Sequence, residues 1–183
     1  MKKILLVSAM VFATMSCFAQ KFGHVNTTEL VQLCPEADKA REILKASTAE
    51  AQATYKEMAD EYNTKLEAYQ QKSSSWTGAV RESKEKELAA LQQRITEFGE
   101  NVQQEIDQQQ QTQFKPIAEK AKSVIESIAK AKGLVCVFET SSLIYKDASQ
   151  MVDLTPDARK AMNIPAGRTM ESLAAELQAQ QSK

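Results

Sequence analysis

The sequence predicts an α+β, mostly α fold: a small β-containing body with one long antiparallel coiled-coil helical hairpin. Three observations predict it. Residues 37–132 are rich in Ala, Glu, Gln and Lys, with Gly only at 78 and 99 and Pro only at 116, so few breakers interrupt strong helix formers. Within that stretch two apolar stripes oppose each other in one shared register. A run of β-formers, Leu134-Val135-Cys136-Val137-Phe138, follows directly.

The chain has 183 residues, enough for about one domain. Lys2 and Lys3 precede an apolar stretch from Ile4 to Phe18, and Cys17-Phe18-Ala19 offers small residues where a signal peptidase reads. Residues 1–19 are therefore expected to be a secretory signal, cleaved after Ala19. Thr14-Met15-Ser16-Cys17 also loosely matches a lipoprotein signal, with Cys17 as the lipidated residue. The stretch is too short for a confident transmembrane anchor.

Residues 20–36 come next. Lys21 to Asn26 alternates and reads as a strand. Thr27 or Thr28 is expected to cap a short helix through Leu33, with Glu29 in its first turn and Pro35 at its end.

From about Ala37 a longer helix begins. Its stripe is Leu44, Ala51, Tyr55, Met58, Tyr62, Leu66 and Tyr69, spaced by sevens, fours and threes. Ser73 to Gly78 breaks the pattern and reads as a turn. A second helix carries Leu88, Leu91, Ile95, Phe98, Val102 and Ile106. Facing residues of an antiparallel pair have position numbers of constant sum. Tyr62 with Leu91, Met58 with Ile95, Tyr55 with Phe98, Ala51 with Val102 and Ser47 with Ile106 all satisfy one sum, whose midpoint lies between Trp76 and Thr77. Two separate signals thus agree on a hairpin over 37–116 with its tip at 73–78. Each arm is expected to run about 35 residues, or roughly 50 Å. Tyr55, Met58, Tyr62, Leu91, Ile95 and Phe98 are its expected seam. The glutamine-rich stretch 103–113 faces a start rich in alanine, so a bend is expected there, and Pro116 is expected to kink or break the helix.

The body resumes over 117–162. Gly133 is expected to end the helix, and 134–138 to form a buried strand. Leu143-Ile144-Tyr145 reads as a second strand. Thr155-Pro156-Asp157 reads as N-cap, N1 proline and first-turn acid. Residues 163–183 form a C-terminal extension in which Thr169 can cap a last helix carrying Met170, Leu173 and Leu177.

Charge and motifs exclude several functions. Net charge is −1, and losing the signal removes two lysines and no acid, giving −3; nucleic-acid binding usually leaves a basic footprint. His24 is the one histidine and reads as structural. No metal-ligand spacing, phosphate loop or nucleophile elbow occurs. No cofactor, nucleotide or catalytic residue is therefore expected. Cys34 and Cys136 either pair as a disulfide or stay as buried free thiols.

Three stretches carry a family resemblance: 21–30 (KFGHVNTTEL), 124–138 (VIESIAKAKGLVCVF) and 141–154 (SSLIYKDASQMVDL) followed by Thr155. With the hairpin between them, the order over 21–162 resembles the Skp/OmpH family of periplasmic chaperones. The resemblance implies a homotrimer whose β-body carries three hairpin tentacles, and an ATP-independent holdase for unfolded outer-membrane proteins. Segments 20–36 and 117–162 are too small to bury a good core alone, which agrees with oligomerisation. Well-known members are basic and this chain is not, so no lipopolysaccharide-binding residues are carried over and holding is expected to depend less on salt. Trp76 is either a client- or membrane-touching aromatic at the tip or a staple of the turn. The competing reading of the whole chain is a structural coiled-coil adaptor or envelope spacer with a folded partner.

Overall fold

A computed structural model describes residues 21–181; the expected signal peptide, its cleavage site and Cys17 lie outside the described residues. The chain divides into two compact units. Of the described residues, one unit holds 21–33 with 120–181, the other Cys34–Glu119.

The first unit is built on a three-stranded sheet of β1 (Lys21–Val25), β2 (Leu134–Glu139) and β3 (Met151–Asp153). β1 lies in the middle and pairs in parallel with both neighbours, Gly23 facing Val137 on one side and Val152 on the other. Gly23 is needed for this: a Cβ there would lie 2.6 Å from Leu154 Cδ1, 2.7 Å from Leu134 Cδ1 and 3.3 Å from the Val152 carbonyl oxygen.

Helix α1 (Thr27–Leu33) follows β1 at once. Its cap is Asn26, whose Oδ1 accepts the Glu29 amide at 3.0 Å, while Glu139 Oε2 accepts the Thr27 amide at 2.9 Å. This corrects the expected threonine cap. Leu30 and Leu33 are fully buried, as are Leu154, Ala158 and Met162 around helix α4 (Thr155–Ala161). α4 starts without the expected threonine cap too. Thr155 Oγ1 instead accepts the Asn26 amide at 3.1 Å, and Asp153 Oδ1 accepts the Thr155 amide. Arg159 pairs with Glu29 and donates to the carbonyls of Pro165 and Arg168, fastening the return of the chain. Helix α5 (Met170–Gln181) is capped by Thr169, whose Oγ1 accepts the Ser172 amide at 3.1 Å; it packs on α1 and buries Leu173. The C-terminal extension therefore adds to this core.

The second unit is the hairpin: α2 (Pro35–Lys72), a 3₁₀ turn (Ser73–Ser75) and most of α3 (Gly78–Ala131). Pro35 opens α2 rather than merely closing α1, because an N1 proline lacks only an amide that has no helical partner anyway. α3 is unbroken through Pro116, so the expected break does not occur there. Gly133 ends α3 at φ +63°, the left-handed region.

Two further expectations are corrected. Residues 143–145 form no strand; Ile144 is fully exposed and Tyr145 nearly so. Asp147 Oδ1 accepts the Ser149 amide at 2.8 Å and forms a turn, and pairing with β1 passes to Met151–Asp153. Nor is β2 buried within one chain: Val135 is 64% exposed and Phe138 40%.

Candidate functional site

Two surfaces stand out, the hairpin and the open side of the sheet. The hairpin is tied at its tip by its own side chains. Ser75 Oγ donates to the Lys72 carbonyl at 2.8 Å, closing the 3₁₀ turn. Arg81 reaches back from α3 and donates through Nε and Nη2 to the Ser73 carbonyl at 3.2 and 3.0 Å. Thr77 Oγ1 accepts the Val80 amide and starts α3. Trp76 is half-buried and meets Tyr69 edge-on. The Tyr69 hydroxyl donates to Glu85 on the opposite arm, and this bond raises the phenol's pKa.

Below the tip, Lys65 of α2 pairs with Glu87 of α3, which Lys84 also holds at 2.8 Å. These two bonds, Lys65's first, hold the Glu87 carboxyl down at about 2. The cross-arm partners Lys65–Glu87, Tyr69–Glu85 and Ser73–Arg81 all lie within one position of the register expected from the apolar stripes.

The seam itself is thin. Leu91 is buried at 4% exposed; Met58, Tyr62, Ile95 and Phe98 are half-buried. Tyr55 is 49% exposed, so it is not a buried seam residue. Thr54, its neighbour, instead lines a space with Phe98. Part of the mixed charge of the arms is compensated by pairs such as Lys86–Glu82 and Lys56–Asp60.

No disulfide joins Cys34 and Cys136 in this structure. Cys34 is buried at the start of the hairpin unit, and burial pushes its thiol above its ordinary value. Cys136 lies half-buried on β2.

On the first unit, Ile125 and Ala129 of α3 and Leu134, Val135 and Val137 of β2 line an apolar groove of about 530 Å³. It runs beside β2, an edge of the sheet with no strand on its outer side among the described residues. His24 sits 3% exposed under the sheet's end. Its Nε2 lies 3.1 Å from Lys146 Nζ, and since an ammonium only donates, Nε2 is the acceptor; Nδ1 then carries the hydrogen and donates to Thr140 Oγ1 at 3.1 Å. His24 thereby links β1 to Thr140 and to Lys146 of the 143–150 loop. No group of His, Cys, Asp and Glu that could hold a metal occurs among the described residues. No described helix is long and apolar enough to cross a membrane.

Comparison with known proteins adds a family. The model for Outer membrane protein (OmpH-like) matches residues 21–162. A solved structure described as a candidate outer membrane chaperone (OmpH-like) from Caulobacter crescentus CB15 superposes with a TM-score of 0.69 at 13% identity, covering 78% of this chain and 83% of that one. At that identity the likeness concerns the fold. No curated protein matches this chain.

Proposed function

The chain belongs to the OmpH-like outer membrane protein family, and from that premise we propose that it is an ATP-independent holdase chaperone of the periplasm. It gathers unfolded outer-membrane proteins between the helical hairpins of a homotrimer and keeps them from aggregating. The observation that carries this reading is the hairpin: a long, thinly sealed pair of arms with surface charge of both signs. Such a surface offers many weak contacts and no deep, rigid pocket, which suits clients without fixed structure.

The body supports the trimer. β2 leaves Val135 and Phe138 exposed, a 530 Å³ apolar groove runs beside it, and Ile144 and Tyr145 project from the loop before β3. Apolar surface of this kind on so small a body is expected to be covered by sister copies. The open remainder of Trp76 is the proposed client contact at each tip, with peripheral membrane contact as its other use.

The test is an aggregation assay with a denatured porin-like barrel diluted into buffer without nucleotide, run beside a mass measurement of the mature protein. Suppression at near-stoichiometric trimer supports the reading. A stable monomer, or a pull-down recovering one folded partner and no unfolded barrel, would replace it with the adaptor or spacer reading.

A further inference from the structure

Partway along the hairpin the two arms do not fill the space between them. Ser47 and Ala51 of α2 stand opposite Val102 and Ile106 of α3, and Phe98 closes one end. Small residues facing branched ones leave a cavity of about 250 Å³. An enclosed cavity of roughly 150 Å³ suffices for a benzene ring, so this space admits a large apolar side chain.

The rim carries charge of one sign. Glu50 and Glu105 both line the cavity. Along the helices, the residues three and four positions from Glu50 are Ala46, Ser47, Ala53 and Thr54, and those from Glu105 are Asn101, Val102, Gln108 and Gln109. The register sets Glu50 opposite Gln103 and Glu105 opposite Thr48. None of these is a cation, and neither carboxylate has an ion-pair partner among the described residues. Elsewhere on the hairpin Glu61, Glu82 and Glu87 have lysine partners, so Glu50 and Glu105 belong with the hairpin acids that have none, and what sets these two apart is that they line the cavity. The cavity is thus a mixed slot: Ala51, Phe98, Val102 and Ile106 give it apolar walls, Ser47, Thr54 and Gln109 add polar lining, and Glu50 and Glu105 bring two carboxylates without an ion-pair partner.

We propose that this slot is a side-chain receptor: it takes one Leu, Phe or Tyr side chain of an extended polypeptide, while a Lys or Arg beside it in that polypeptide reaches Glu50 or Glu105. The assignment rests on the holding function proposed above and names the sequence feature that holding prefers. Apolar contact supplies the attraction, and the carboxylates select against acidic flanks.

The test uses the full mature protein and two fluorescein-labelled 12-residue peptides, each with a central Phe, flanked by lysines in one and glutamates in the other. Fluorescence anisotropy should show preference for the lysine-flanked peptide, fading as salt is raised. Ala51→Leu fills the slot and is expected to weaken that peptide's binding about 10-fold, with helix content by circular dichroism unchanged. Glu50→Gln with Glu105→Gln is expected to abolish the preference between the peptides. In the wild type, a benzophenone side chain in place of the Phe should cross-link to residues around Ala51 and Val102. Equal binding by a folded Ala51→Leu protein, a preference that survives both glutamines, no binding of either peptide, or cross-links only elsewhere would each overturn the slot. The same wild-type sample in the porin aggregation assay separates the two ideas. Holding without any effect of Ala51→Leu rejects the slot alone, and slot binding without holding rejects the holdase reading alone.

Discussion

Tyr69 and Trp76 meet edge to face at the hairpin tip, with ring centroids 5.8 Å apart and planes inclined at 65°. Such a pair contributes about 1 kcal/mol beyond the area it buries. Trp76→Ala is therefore expected to lower stability by about that much, measured by urea unfolding. Trp76 is also the only tryptophan in the chain, so intrinsic fluorescence reports the tip directly. If the tip touches clients, the emission of the wild type shifts blue when unfolded barrel is added and Trp76→Ala loses protection in the aggregation assay. An emission spectrum and a protection curve that both stay put restrict Trp76 to stapling the turn.

The Lys65–Glu87 pair makes the hairpin acid-sensitive in a defined window. Glu87 has its carboxyl depressed from 4.5 to about 2 by Lys65 and Lys84. A depressed folded-state value means the unfolded chain binds the proton more readily. The pair's stabilisation is thus complete above about pH 4.5 and lost as pH falls towards 2. Glu87→Gln is expected to melt at lower temperature than the wild type at pH 7, with the two curves converging near pH 2.

Gly23→Ala is expected to destabilise the protein by about 1–3 kcal/mol through overpacking. The Leu134 and Leu154 methyls can swing away, but the Val152 carbonyl, 3.3 Å from the added carbon, belongs to the neighbouring strand. A thermal melt at or above the wild-type value would show that β1 and β3 separate more easily than their register suggests.

The thiols offer a further check. Cys34 is buried with its thiolate disfavoured by burial, and no disulfide joins it to Cys136. Alkylation in native buffer without reductant should leave Cys34 unmodified, and alkylation in denaturant should label Cys34 and Cys136 together. A mature chain two mass units light, with no reactive thiol after denaturation, would indicate a bridge instead.

Pro116→Ala restores the amide that the unbroken helix α3 lacks at that position. It is expected to stabilise the protein, by up to about 3 kcal/mol if the site behaves as an ordinary helix interior. Chemical unfolding of the two proteins side by side measures the gain.

The hairpin was legible because its signals are local and repeated. Leu91, Ile95 and Phe98 recur at threes and fours, the serines of 73–75 mark the turn, and Gly133 marks an end. The body was less so because its decisive contacts are distant in sequence. Thr155 resembles an N-cap, yet its hydroxyl is claimed by Asn26, 129 positions away, and nothing near Thr155 announces that. Leu143-Ile144-Tyr145 has β-forming composition, yet Lys146 is drawn to His24 and Asp147 makes a turn, so the pairing falls on Met151–Asp153. Tyr55 continues the stripe and has Phe98 opposite in the register, yet about half of its surface stays exposed. The slot between the arms did leave a trace, Ser47 and Ala51 opposite Ile106 and Val102, visible once volumes and not only polarity are compared across the register.

The sheet's order also dictates when it can exist. β1 is central, and both its partners come more than 100 residues later in the chain. A polypeptide emerging N-terminus first must therefore leave β1 unpaired until Leu134–Glu139 has appeared, whereas the two arms close on each other over a short loop. The newborn chain passes through a stage with its arms formed and its central strand bare, and so is itself, for that interval, in need of the protection it is proposed to give to others.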